Sequence, residues 1–229
     1  MAMNIQLKKK PQNPTIIQGF PGFGLIGTIA TEFLIDHLDA ELIGEFIYDD
    51  LPATVAIHQG KLVKPMEVYY AKKENLVILH AIMAPKGKEW EVTDQVIDLT
   101  KKLKAKKVVC LEGVMSPESE NIYSWGDPKL EKQGVKPIKE SIVLGVTAAL
   151  MARHPKKTAC LFAESHSQLP DSKAAARLIK VLDKYLGLKV DPKPLYTQAQ
   201  AFEDKLKGIL QQASKANTEK ERKDLTYLG

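Results

Sequence analysis

Short apolar runs, broken at intervals by turn residues, predict a series of strands. Thr15–Gly19, Leu42–Ile47, Thr54–His58, Glu67–Ala71 and Leu76–Met83 are such runs, punctuated by Pro52 and Gly60. Lys72-Lys73-Glu74-Asn75, inside the segment from Glu67 to Met83, reads as a hairpin turn. Elsewhere the apolar spacing lengthens to that of a helix. Ile26, Ile29, Ala30, Phe33 and Leu34 predict a helix over Leu25–Leu38. Val92, Val96, Leu99 and Leu103 place one face of a helix over Glu89–Leu103. Lys107–Leu111 and Thr158–Ala163 are buried strands, and Ser141–Arg153 is a helix. Pro170-Asp171-Ser172 opens another, with Ala174, Leu178, Val181, Leu182 and Tyr185 as its stripe and Gly187 as its stop. A last helix is expected from Leu195 to Ala213, and Met115–Pro137, with weak periodicity, is expected to be a long loop.

Alternating helices and strands, several strands apolar throughout, argue for a sheet covered on both faces. The expected architecture is α/β: a single three-layer α/β/α domain with a mostly parallel or mixed sheet, spanning residues 1–213. Residues 214–229 are expected to be a flexible charged tail ending in the apolar cluster Leu225-Thr226-Tyr227-Leu228-Gly229.

Composition narrows the partners. The chain has 229 residues, 44% hydrophobic and 27% charged, ordinary values for one sizeable globular domain. The net charge of +5 comes largely from scattered lysine pairs, which read as solvated faces and not as a nucleic-acid patch. Cys110 and Cys160 sit in apolar runs and read as buried free thiols. No apolar run reaches the ~18 residues needed to cross a bilayer, and the chain starts polar. A cytoplasmic protein without a membrane or nucleic-acid partner is expected.

Gly19-Phe20-Pro21-Gly22-Phe23-Gly24-Leu25-Ile26-Gly27 is the most distinctive stretch. Gly22, Gly24 and Gly27 have dinucleotide-fingerprint spacing after a strand and before a helix, and Glu45 stands about where a ribose-binding carboxylate is wanted. Against that, Phe20 and Phe23 place bulky apolar groups where a pyrophosphate needs polar surroundings. The stretch is therefore either a cofactor cradle or a tight turn whose phenylalanines pack or meet a partner. His37, His58, His80, His154 and His166 lack metal-site spacing. Glu164-Ser165-His166-Ser167 lacks a nucleophile elbow, Lys86-Gly87-Lys88 lacks the Walker pattern, and Glu112 stands at a strand end as a lone carboxylate.

Taken together, the chain resembles the proteasome assembly chaperone family in its archaeal and bacterial branch, from about Thr15 to Leu210. The resemblance is carried by Gly19–Gly27, by Asp50-Leu51-Pro52, by Leu169-Pro170-Asp171 with Ala174-Ala175-Ala176, and by Leu186-Gly187-Leu188. It implies a nucleoside-phosphorylase-like fold, homo- or hetero-oligomers, no catalytic residues and no cofactor. It also implies protein partners: proteasome α-subunits or a paralogous assembly factor. Some assembly chaperones of this family use a C-terminal hydrophobic-Tyr-any residue motif that enters pockets between α-subunits. Here Tyr227 is third from the end and follows Thr226, a departure from that motif. The expected function is a non-enzymatic, oligomerising, partner-binding protein, with Leu225, Tyr227, Leu228, Phe20 and Phe23 as partner-binding candidates. The alternative is a nucleotide- or dinucleotide-binding enzyme using Gly22, Gly24, Gly27 and Glu45.

Overall fold

The computed structural model describes residues 3–48, 54–58, 60–83, 86–116, 120–166 and 168–197. In chain order the elements are β1 Asn4–Leu7, β2 Thr15–Gly19, α1 Ile26–His37, β3 Glu41–Ile47, β4 Ala56–His58, β5 Lys61–Val63, β6 Met66–Ala71 and β7 Leu76–Ala81. They continue with α2 Glu89–Lys102, β8 Lys107–Met115, β9 Ile122–Trp125, α3 Pro128–Glu131, β10 Lys136–Pro137, α4 Gly145–Arg153, β11 Thr158–Ser165 and α5 Ser172–Leu186. Residues 193–197 are helical, and the rest of the helix expected over Leu195–Ala213 lies outside the described residues.

Nine strands form one mixed sheet in the order β1-β3-β6-β7-β2-β8-β11-β9-β10, while β4 and β5 pair separately. The strands β7, β2, β8 and β11 run parallel at its centre, and these are the continuous apolar runs that only a doubly covered strand tolerates. Alternation along them feeds two cores. Ile17, Ile78, Val109 and Leu161 point to the face covered by α1 and α5. Ile16, Val77, Val108 and Phe162 point to the face covered by α2 and α4. The expected three layers are present.

The differences have local causes. Met115–Pro137 is not a loop: β8 continues to Met115, and the segment contains β9, α3 and β10. These pieces are two to four residues long, too short to display a period. The helix expected from Ser141 begins only at Gly145, whose φ of 72° ends any helical run entering it. Ile142 and Leu144, inside the expected helix, instead precede it and are exposed. The turn at Lys72–Asn75 does close the β6–β7 hairpin, and Asn75 takes the left-handed backbone there.

Candidate functional site

The centre of the sheet contains a topological switch. Helix α1 leaves β2 on one face, whereas α2 connects β7 to β8 across β2 on the other. In open α/β sheets the crevice at the carboxyl ends of such strands is where ligands bind. Here the glycine turn borders it. Residues Phe23–Leu25 form a 3-10 turn that folds over the end of β8. A Cβ on Gly22 would overlap the Glu112 carboxylate, and one on Gly113 would overlap the Phe23 carbonyl oxygen. Behind the turn, a Cβ on Gly27 would overlap the Leu111 carbonyl oxygen, and one on Gly19 the Gly27 carbonyl oxygen. Gly19, Gly27 and Gly113 let backbone meet backbone, and Gly22 lets the turn lie against the Glu112 side chain.

Two successive residues of the turn are left-handed: Gly24 with φ 65° and Leu25 with φ 50°. For leucine that conformation is strained, and the surroundings hold it. The Asp171 amide donates to the Gly24 carbonyl at 2.9 Å. The Asp171 side chain caps α5 by accepting from the Ala174 amide at 2.8 Å, and it accepts from Ser165 Oγ at 2.7 Å. Ala174, Ala175 and Ala176 are fully buried beneath this junction. The two most distinctive sequence segments, Gly19–Gly27 and Pro170–Ala176, thus meet in space.

Two polar networks lie beneath the turn, one on each face of the sheet. On the α4 face, Thr147 Oγ1 lies 2.9 Å from Glu112 Oε2 and 3.3 Å from Gln18 Oε1, and the Gly113 amide donates to Glu112 Oε1 at 3.2 Å. Burial pushes the Glu112 carboxyl up to about 7, against the lowering pull of the hydrogen bonds from Thr147 and Gly113. Cys110 and Cys160 are side by side in the β8–β11 register, and their mutual hydrogen bond and burial raise the Cys110 thiol well above its ordinary value. On the α1 face, His80 Nδ1 is 2.9 Å from Thr31 Oγ1, and its Nε2 is 3.0 Å from the Glu32 carboxylate. Glu67, also buried, accepts from Tyr69 Oη at 2.6 Å and from the Lys64 amide at 3.2 Å. The His80 contacts tie α1 to the sheet, and those of Glu67 stay within β6 and the residue leading into it.

The candidate residues read from the sequence separate here. Phe20 is no surface group: it is 4% exposed and packs edge-on against Phe46 in the α2/α4 core. Phe23 is half-buried in the turn. Glu45 is corrected as a ribose ligand. It lies on β3, separated from β2 by β6 and β7, and pairs with Lys64. Gly22, Gly24 and Gly27 are together, but packed on protein as described. Ser165 and His166 face different partners, His166 Nδ1 lying 3.0 Å from the Ser116 carbonyl. Leu225, Tyr227 and Leu228 lie outside the described residues. No cluster of metal-ligating side chains occurs among the described residues, and none of their helices is long and apolar enough to cross a membrane.

The surface carries a different signal, which the periodicity did not isolate. Val55, Ile57 and Leu62 on the β4–β5 hairpin are exposed, Ile57 by 76%, and Ile57 is the cross-strand partner of Leu62. Since β3 runs parallel to β7, this hairpin follows the end of β3 at the carboxyl end of the sheet. Met115 at the end of β8 and Leu169 before α5 are exposed there as well, and Ile142 and Leu144 flank the start of α4.

Comparison with known proteins fixes the class. The PAC2 family profile matches residues 16–210, and this chain belongs to the PAC2 family. Pyrococcus furiosus PbaA, described as an archaeal homologue of proteasome-assembly chaperone, superposes with a TM-score of 0.83 at 30% identity, covering 94% of this chain and 99% of that one. Pyrococcus furiosus PbaB, described as an archaeal proteasome activator, shares the fold with a TM-score of 0.74 at 23% identity, covering 90% of this chain and 98% of that one. An uncharacterised protein of Methanocaldococcus jannaschii is 26% identical over 224 residues, covering 95% of this chain and 94% of its own.

Proposed function

We propose that this protein is a non-enzymatic, oligomeric relative of the proteasome assembly chaperones that acts by binding other proteins, proteasome α-subunits or a paralogous assembly factor among them. The likeness to PbaA over nearly the whole of both chains carries the reading. Two features of the fold support it. The glycine turn at the switch point is packed directly on the end of β8, and large apolar side chains stand exposed at the same end of the sheet, a composition suited to protein contact. In this reading residues 1–213 act as one domain, and Leu225, Tyr227 and Leu228 serve as a tethered docking element on the tail 214–229.

Light scattering on the full chain tests oligomerisation, with a mass above one subunit expected. A pull-down with proteasome α-subunits, with and without residues 214–229, tests the partner and the tail. Capture that depends on the tail is the expected result. A monomer that captures neither α-subunits nor a paralogous PAC2-family chain would overturn the proposal.

A further inference from the structure

Glu112 is a half-buried carboxyl with no counter-charge facing it among the described residues, and the glycine turn is built directly on it. The groups that face it are named readily. From β2 comes Gln18, fully buried, with its Nε2 lacking a hydrogen-bond partner. From β8 comes Cys110, its raised thiol neutral at ordinary pH, bonded to Cys160 of β11. From α4 comes Thr147, and from the turn Gly22, in a segment of Phe, Pro, Gly and Leu without a titratable side chain. The next carboxylate on this face, Glu164 two positions along β11 from the residue paired with Glu112, accepts the Asn121 amide. None of these groups is a cation. Asp127 shows the opposite arrangement: although burial acts to raise it, hydrogen bonds from Lys107 and Tyr185 hold its carboxyl down to about 2.

We infer that Glu112 is a proton-controlled latch: with the carboxyl protonated the glycine turn stays seated on the end of β8, and loss of that proton loosens the turn. The physical reason is desolvation. An ionised carboxylate here loses part of its water and has Thr147 Oγ1 and the Gly113 amide in its place, with no cation among the described residues to balance it. Gly22, which lies against this carboxyl, is itself exposed and carries no side chain. A turn that lifts there also strains the Asp171 amide to Gly24 carbonyl bond that joins it to the start of α5. The rise of the Glu112 carboxyl to about 7 puts the transition within the range of ordinary buffers.

Amide hydrogen exchange on the full chain tests the latch, with opening free energies for residues 20–27 compared with those of β7 after correction for intrinsic rates. Turn amides should open below the global free energy, and on the order of 10-fold more often at about pH 8.5 than at about pH 6. In Glu112→Gln that dependence should vanish. In Thr147→Val the midpoint should move to higher pH, because the lost hydrogen bond favoured the charged form. Turn amides that open only together with β7 would overturn the latch, and so would an unchanged pH dependence in Glu112→Gln or a downward shift in Thr147→Val. A carbon-13 titration of the Glu112 carboxyl supplies a reading independent of the variants: a midpoint in the usual carboxylate range would also overturn it.

Discussion

The glycine turn and the β4–β5 hairpin emerge at the same end of the sheet and are built in opposite ways. The turn and its supports leave no room for a side chain at Gly19, Gly27 or Gly113, which meet backbone, or at Gly22, which meets the Glu112 carboxylate. The hairpin is a separate two-stranded sheet whose Val55, Ile57 and Leu62 face outward. A two-stranded ribbon alone is marginal in water, so those side chains do little for the isolated fold. The conspicuous motif is therefore architecture, and the inconspicuous hairpin is the surface with apolar area to offer. In this molecule sequence salience tracks steric constraint, not accessibility.

The strongest way to break that contrast is to add one carbon to the turn. Gly27 lies inside α1, where alanine by helix propensity alone would stabilise by about 1 kcal/mol. Its Cβ would strike the Leu111 carbonyl, so Gly27→Ala should instead lower the unfolding free energy by about 3 kcal/mol or more in urea titration. A neutral or stabilising result would mean that the turn is looser than its packing.

Next comes charge beneath the turn. Glu112 has a folded-state pKa of about 7 against an ordinary 4.5. Between these values the folded chain holds the proton and the unfolded chain has released it, so stability falls as pH rises through the window. The difference, 7 − 4.5, gives a ceiling near ~3 kcal/mol, and partial water access at the carboxyl's edge discounts it to about 1–2 kcal/mol. Glu112→Gln should recover that amount at pH values above the window and little below it, in urea titrations at both ends.

Removal of the cap at the junction is expected to have a smaller effect. Asp171→Ala deletes the acceptor for both the Ala174 amide and Ser165 and should cost about 1–2 kcal/mol, read as a fall in thermal midpoint. The hairpin should give the smallest effect on the fold. The double substitution Ile57→Ser with Leu62→Ser should change subunit stability by under about 0.5 kcal/mol, because both side chains are already in water. The same protein should lose mass in light scattering if the hairpin lies in a subunit contact. A large loss of subunit stability would erase the distinction drawn between the two regions.

What the residue pattern disclosed follows from how strongly each element is constrained. β2, β7 and β11 are continuous apolar runs because both of their faces are covered, and they were legible at once. β1, β5, β9 and β10 are short and lie at edges or apart from the main sheet, where few positions are forced to be apolar. Glu45 was misplaced because a linear chain does not state strand order. The strand after α1 usually neighbours the first strand in a dinucleotide fold, whereas here β3 is third from β2. Glu112 did leave a trace: it falls on the same face as Val108 and Cys110, an acid at an inward position of a buried strand. Its partners Gln18 and Thr147 come from distant segments, and only the fold brings them to it.

The central position of β2 has a consequence for how the protein is made. Ile16 and Ile17 precede all three of their partners in sequence: one side of their strand is paired only when β7 is made, the other when β8 is made, and the turn after it is pinned only when Asp171 has been synthesised. Until β8 is made, the future middle of the sheet has an open edge. Pairings of such long sequence separation form slowly and leave sticky strands in wait. In this topology the strand that ends at the centre of the sheet is the one that waits longest for its final contacts.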